Sequence, residues 1–176
     1  MTVKRIGMLC LLFGVVFIAL GITALPSRAD DPSPGRGILP ALRQVPLFQR
    51  LDEDQLEKLA EITELTERQA GKRIIAQGKR TRKMFITLDS EVRILINGNL
   101  IVVLPVNALV GEIEFLEDRP ATADVVLITK SRVISMENKS LRKLMDANPG
   151  IGYVLMDEIA RMEAHRLRTT SERQQK

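Results

Sequence analysis

A series of short apolar runs between Thr66 and Met136 constrains the fold of this chain most strongly. Two of them, Val92–Ile96 and Leu100–Leu104, are joined by Asn97-Gly98-Asn99, and Asn-Gly between apolar strands is the strongest short-range signal for a β-hairpin. The other strand-like runs are Arg73–Ala76, Lys83–Leu88, Asp124–Thr129 and Arg132–Met136. Many short strands with turns at near-regular spacing predict a closed β-roll or sandwich rather than a parallel α/β sheet.

A helix is predicted before this β region. Asp52 can act as its N-cap, and Gln55 three residues later completes a capping-box pattern. Leu56 and Leu59 then supply an apolar stripe, which predicts a helix over about 52–63.

Two helices are predicted after the β region. Ser140 can cap a short one, and Asn148-Pro149 can begin a longer one. One face of the longer helix carries Ile151, Leu155, Ile159 and Met162. We expect this stripe to pack on the β-roll, and the alternative is a homodimer seam through residues 150–167. The last residues, 169–176, are predicted to be a basic, flexible and solvated tail.

This order of elements resembles the cyclic nucleotide-binding domain of catabolite activator proteins, kinase regulatory subunits and gated channels. The resemblance covers about residues 45–168. It is carried by the order and spacing of Val45-Pro46-Leu47-Phe48, Gly71-Lys72-Arg73-Ile74-Ile75, Gln77-Gly78, Met84-Phe85-Ile86, Gly111-Glu112 and Ala123-Asp124-Val125. It implies a mainly β fold: a double-stranded jelly roll with an N-terminal helix and two C-terminal helices.

The segment Val110–Val125 is similar to the phosphate-binding cassette of that family. In the family, a glycine lets the backbone approach the ligand and a glutamate accepts from the ribose 2′-hydroxyl. The amides of a short helix face the cyclic phosphate, and an arginine pairs with its charge. The resemblance therefore implies a candidate ligand site made of Gly111, Glu112, Ile113, Glu114, Phe115, Arg119, Ala121 and Thr122.

The cassette departs from the family pattern at its arginine. The expected position, nine residues after the glutamate, is Ala121. Removing a buried phosphate partner costs about 3–5 kcal/mol, or two to four decades of affinity. Ser90, Asn107 and Val110 also replace residues usual in the family, namely two glycines and an aromatic residue.

Three charged residues in or near the cassette have alternative roles. Glu112 is either a ribose ligand or a partner of local backbone amides at the short helix. Arg119, two residues before Ala121, is either a substitute phosphate clamp or a solvated turn charge beside Glu117 and Asp118. For Asp124 we expect a surface carboxylate at a strand end.

The composition excludes several classes of function. The net charge is +4, but Lys4, Arg5 and Arg28 supply most of it, so nucleic-acid binding is not expected. Cys10 is the only cysteine and His165 the only histidine. The chain therefore has too few cysteine and histidine residues for thiolate or His-rich metal sites and for Ser-His-Asp catalysis. We expect no metal, no obligatory cofactor and no enzymatic activity.

The first residues have the pattern of a targeting segment. Lys4 and Arg5 precede an uninterrupted apolar run, Ile6–Leu25, so residues 1–29 are predicted to be a signal peptide cleaved after Ala29 or an uncleaved membrane anchor. Residues 30–44, rich in Pro and Gly, are predicted to be a linker. The domain is then exported or membrane-anchored, the alternative being the cytoplasmic face of a membrane.

The sequence thus favours an interaction or regulatory module with an unidentified protein partner and weak or lost nucleotide binding. The alternative is a sensor of cyclic AMP, cyclic GMP or another small anionic ligand. It would use the 110–125 segment, with Arg119 as a substitute clamp.

Overall fold

The computed structural model describes residues 37–174, which begin with helices. These are α1 (Ile38–Arg43), a 3-10 turn (Pro46–Phe48) and α2 (Glu53–Glu61). The predicted capping box of α2 is present, since the Gln55 amide donates to Asp52 Oδ1 at 2.9 Å and the Asp52 amide donates to Gln55 Oε1 at 3.1 Å. Helix α2 ends at Glu61, and a strand starts at Thr63.

Helix α1 lies inside the segment that was predicted to be a linker over 30–44. Its residues Ile38, Ala41 and Leu42 are buried in the core. Their spacing places them on one helix face, a pattern that the surrounding Pro and Gly residues obscured. Pro40 is tolerated because it lies in the first turn, where the amide has no helical partner.

Eight strands follow and form the predicted β-roll. They are β1 (Thr63–Arg68), β2 (Arg73–Ile75), β3 (Lys83–Thr87), β4 (Val92–Ile96), β5 (Asn99–Leu104), β6 (Ala108–Val110), β7 (Asp124–Leu127) and β8 (Ser131–Glu137). They make two four-stranded sheets with the orders β1-β8-β3-β6 and β2-β7-β4-β5, and every pair is antiparallel. Neither β1 nor β6 was predicted as a strand, since β1 reads TELTER and β6 has three residues.

Two apolar clusters hold the elements together. The smaller one fills the inside of the roll with side chains of both sheets, among them Ile75, Val92 and Val125. The larger one joins the β1-β8-β3-β6 sheet to the helices and contains Ile151, Leu155 and Ile159 of the last helix. That stripe packs within the chain, as expected, and a homodimer through residues 150–167 stays a prediction.

Three helices complete the described part: α3 (Glu112–Glu117), α4 (Asn138–Ala147) and α5 (Pro149–Gln174). Helix α4 begins two residues before the predicted cap Ser140, with the Asn138 amide donating to the Arg82 carbonyl at 2.8 Å.

Helix α5 also continues through most of the tail that was predicted to be flexible. Hydroxyls of Thr169, Thr170 and Ser171 donate to carbonyls four residues earlier, and no Gly or Pro interrupts this stretch.

The predicted signal or anchor, residues 1–29, lies outside the described residues. Within 37–174, none of the helices has the length and apolar character needed to span a membrane.

Candidate functional site

Gly111 forms the junction between β6 and α3. Its φ is +87°, in the left-handed region, and a Cβ atom built on it would lie 2.8 Å from the Lys83 carbonyl oxygen. Both the conformation and the close approach of β3 require glycine here. The first turn of α3 therefore sits directly against the sheet.

Replacing Gly111 by alanine should destabilise the domain. We expect a loss of about 2–4 kcal/mol, because left-handed strain and a backbone collision act together. Gly78→Ala is the matched control, since Gly78 has a φ of +75° but open space around a built Cβ, and it should cost only about 1 kcal/mol. Urea denaturation of both variants measures the difference, and equal losses would show that the contact with Lys83 is unimportant.

A cavity of about 190 Å³ opens between the cassette, the β2-β7-β4-β5 sheet and α5. Its wall is mainly apolar and includes Ile75, Ile94, Val102, Leu104, Val110 and Val125. Of the predicted site residues, Gly111, Glu112, Ile113, Glu114 and Thr122 line it. The other three do not: Phe115 and Ala121 are buried in the apolar clusters, and Arg119 is exposed at a second cleft beyond α3.

Glu112 is held by a residue of the last helix. Its side chain is 5% exposed, and Arg166 donates to its Oε1 at 2.5 Å. The same guanidinium donates to the Leu109 carbonyl at 2.8 Å and to Glu163 at 2.7 Å. Glu112 therefore contacts a guanidinium from α5 in addition to its own backbone amide, which is one of the local amides that the sequence offered as alternative partners.

The sequence did not reveal Arg166 as part of the site. It lies 54 residues after Glu112 on a helix with several other arginines. Only the packing of α5 beside the cassette brings the two together. The contact has a chemical consequence: the acceptor that the family uses for a ribose hydroxyl is already engaged by an internal cation.

Glu112 should make stability depend on pH. Burial raises its pKa to about 7 from the ordinary value of 4.5, although the Arg166 charge acts in the opposite direction. Between these two values the folded state holds a proton that the unfolded chain has released, so the free energy of unfolding falls as pH rises.

A Glu112→Gln variant tests this expectation because it removes the titrating group. Urea denaturation between about pH 5 and pH 7.5 should show a shallower decline of stability in this variant than in the unmodified protein. Identical slopes for the two proteins would contradict the assignment.

Glu114 places a second acid at the cavity. The residue is 9% exposed, and its Oε2 accepts no hydrogen bond from any described residue. This oxygen lies 3.4 Å from a Cβ built on Gly111, beside the first turn of α3. Burial raises the pKa of Glu114, while a contact with its own backbone amide opposes that rise.

Ala121 presents a methyl group where the family pattern has a cation. It is 3% exposed and belongs to the apolar cluster inside the roll. Its backbone is fixed by the Ala121 amide donating to Lys79 O at 2.9 Å and by Gly78 N donating to Ala121 O at 2.8 Å. Arg119 does not line the cavity and is exposed beside Asp118, so its position favours the solvated turn charge over the substitute clamp.

Two of the other departures from the family pattern have structural roles. Ser90 is 1% exposed, donates to the Glu91 carbonyl at 2.6 Å and accepts from the Thr129 amide at 3.0 Å. Asn107 adopts a left-handed φ of +61°, which asparagine tolerates. These residues therefore support the fold and do not face the cavity.

The remaining candidates do not line the cavity. Asp124, at the start of β7, accepts from the Gln77 amide at 2.8 Å and from Arg73. His165 is exposed on α5. Among the described residues, no group of three His, Cys, Asp or Glu side chains could hold a metal ion.

The chain thus forms a β-roll of two antiparallel sheets, with a short helix that starts at Gly111 and the C-terminal helix packed beside it. Residues 65–148 match the family model described as the cyclic nucleotide-binding domain. This match assigns residues 65–148 to the cyclic nucleotide-binding domain family and covers just under half of the chain.

Individual relatives agree with this assignment. A cAMP-dependent protein kinase regulatory subunit of Mycosarcoma maydis is 32% identical over 119 residues, which are 62% of this chain and 23% of the relative. The chain thus spans under a quarter of that relative's length.

Solved structures share the fold. A cyclic nucleotide-binding domain from Methylobacillus flagellatus KT superposes with a TM-score of 0.67 at 16% identity, covering 77% of this chain and 79% of the other. A triple mutant of the regulatory subunit of a cAMP-independent protein kinase A from Trypanosoma brucei, bound to cAMP in the A site, has a TM-score of 0.60 at 23% identity. That match covers 69% of this chain and 44% of the other.

Proposed function

We propose that this domain is a non-enzymatic regulatory module that works through protein contacts and not through binding of a cyclic nucleotide. One observation carries the proposal: the cavity is lined by buried acids, Glu112 and Glu114, while the arginine position of the cassette is filled by Ala121. Of the described residues that line the cavity, Arg166 alone is a cation, and it is already bound to Glu112 and Glu163.

The electrostatics of this arrangement disfavour an anionic ligand. A cyclic phosphate at the first turn of α3 would lie close to the Glu114 carboxylate, and repulsion or protonation of that acid would cost free energy. The absent arginine alone accounts for about 3–5 kcal/mol. Together these effects move a micromolar ligand into or beyond the millimolar range.

The Trypanosoma brucei mutant supports the same interpretation. In that cAMP-independent kinase subunit, three residues were changed: a glutamate to alanine, a threonine seven residues later to arginine, and a valine eight residues later to alanine. This triple mutant is bound to cAMP. In this chain Ala121 and Thr122 follow Glu114 at the same two intervals.

The open cavity favours a second candidate function, a sensor of a small ligand that engages Glu112. Such a ligand would have to displace Arg166 from the carboxylate, and α5 would then be released from the cassette. Binding would therefore be coupled to movement of the C-terminal helix.

Export or membrane tethering is part of the proposal and is supported by the apolar run Ile6–Leu25 alone. A reporter active only outside the cytoplasm, fused after Lys176, tests it. Activity confined to a cytoplasmic reporter would contradict export and leave the cytoplasmic-face alternative.

Calorimetric titration of the full chain with cyclic AMP and cyclic GMP tests the lack of nucleotide binding. No binding heat is expected up to roughly 1 mM ligand. Micromolar binding that disappears in Glu112→Gln would support the sensor instead.

A further inference from the structure

The second cleft, beyond α3, is rich in basic residues. It has a volume of about 560 Å³ and opens between the turn before β3, the loop after α3 and the start of α4. Its acids are Glu114, Asp118 and Glu137, of which Glu114 is buried. Its cations are all exposed: Arg80, Arg82, Arg119, Lys139 and Arg142. This basic cleft therefore carries an excess of positive charge at its surface.

The backbone around the basic cleft fixes the elements that carry these cations. The segment 79–83 reads Lys-Arg-Thr-Arg-Lys. At one end, the Ala121 amide donates to the Lys79 carbonyl at 2.9 Å, which ties the segment to the loop after α3. At the other end, the Asn138 amide donates to the Arg82 carbonyl at 2.8 Å, which ties the segment to the start of α4. The cations therefore come from three elements that are joined to each other, so little backbone ordering is needed to bind a ligand.

Most of these cations have no carboxylate partner. Arg80 is the exception, since it donates to Asp118 Oδ1 at 3.1 Å. Arg142 binds the Phe115 carbonyl and lies 4.4 Å from the centroid of the Phe115 ring. None of the salt bridges of the described residues includes Arg82, Arg119, Lys139 or Arg142. Exposed cations thus converge here without a counter-charge, and arginine side chains pair preferentially with carboxylates and phosphates.

We propose that the basic cleft binds an acidic segment of a partner protein. Carboxylates of that segment pair with Arg82, Arg119 and Lys139, while Arg142 keeps its bond to α3 and offers its remaining N–H groups. Recognition of acidic motifs by clustered arginines is a recurring mode of peptide binding. This inference rests on the proposed function, regulation through protein contacts, and gives the chemistry of the partner.

Two features favour a peptide over a uniformly charged surface. The exposed carboxylates of Asp118 and Glu137 line the same cleft, and they would repel a membrane surface or a nucleic-acid backbone that covers all of it. A peptide can instead place single carboxylates opposite the unpaired cations. In addition, none of the described residues that line the cleft is aromatic, so the bases of a nucleic acid have no stacking partner there.

Fluorescence anisotropy with a labelled peptide of about six glutamates tests the proposal. The full chain in a non-ionic detergent should bind this peptide with a Kd on the order of 10–100 µM at low ionic strength, and a glutamine peptide of the same length should not bind. Raising the salt concentration from about 0.05 M to about 0.3 M should weaken binding several-fold, because exposed charges are screened. An affinity that does not depend on salt would contradict recognition by these cations.

Two matched double variants locate the binding site. Arg119→Gln/Lys139→Gln removes two cations from the cleft and should weaken binding about 5- to 30-fold. Lys58→Gln/Lys72→Gln removes the same charge from two exposed residues outside the cleft and should leave the affinity nearly unchanged. Because all four side chains are exposed, both variants should melt close to the temperature of the unmodified protein. Equal weakening by the two variants, no binding of the glutamate peptide, or tighter binding to anionic lipid vesicles or to a single-stranded oligonucleotide would overturn the proposal.

Failure of this proposal is distinguishable from failure of the proposed function. If neither the glutamate peptide nor cyclic AMP binds, only the acidic-segment proposal is overturned. Micromolar binding of cyclic AMP in calorimetry would contradict the proposed function, whatever the result with the peptide.

Discussion

The triple variant Glu114→Ala/Ala121→Arg/Thr122→Ala is expected to bind cyclic AMP at micromolar concentrations, whereas the unmodified protein is expected not to bind it below the millimolar range. The substitutions remove the buried acid beside the first turn of α3 and introduce a cation that pairs with the phosphate. The expected gain is about three decades of affinity, or roughly 4 kcal/mol. Calorimetric titration with cyclic AMP measures it.

The single variants separate the two contributions. Ala121→Arg alone should bind weakly, because Glu114 remains available to neutralise the new guanidinium. Glu114→Ala alone should not bind, since no cassette cation is introduced. A triple variant that folds, as judged by its thermal melting, and still fails to bind would show that these positions do not account for the lack of affinity.

Arg166→Ala is expected to produce the largest loss of stability among the ion-pair variants. It leaves the buried Glu112 without its cation and removes the bond from α5 to the Leu109 carbonyl. Since Arg166 is 25% exposed, we expect a loss of about 2–3 kcal/mol at pH 8 and less at pH 5, where Glu112 is protonated. Urea denaturation at both pH values measures the change.

Two further variants serve as controls for this prediction. Arg161→Ala, on the same helix, removes an exposed i,i+4 pair with Asp157 and should cost less than about 0.5 kcal/mol. Adding Glu112→Gln to Arg166→Ala should recover part of the lost stability, because the isolated buried charge is gone. An equal loss for Arg161→Ala and Arg166→Ala would exclude the buried pair as the cause.

The parts of the fold that could be predicted are those with strong local signals. The Asn97-Gly98 hairpin is present with φ values of +53° and +79°, which is the conformation that this dipeptide favours. The capping box of α2 was also recognisable from two residues. Helix α1 and strand β6 were missed because each is short and owes its structure mainly to burial in the core.

Only those site residues that lie close together in the sequence could be predicted. Gly111, Glu112 and the absent arginine at Ala121 could be recognised from spacing within one segment. Arg166 could not, since its role depends on where α5 crosses the cassette. The effect of Glu114 was also missed, because its burial and its unsatisfied Oε2 follow from the close packing of α3 against β3.

A two-dimensional NMR titration of the unmodified, ¹⁵N-labelled protein with cyclic AMP tests the central claim most directly, because it reports on the cassette residue by residue. With ligand at about 0.1 mM, the amide signals of Gly111, Glu112 and Thr122 should not move. Saturable shifts of these amides at that concentration would contradict a cassette that works without cyclic nucleotide.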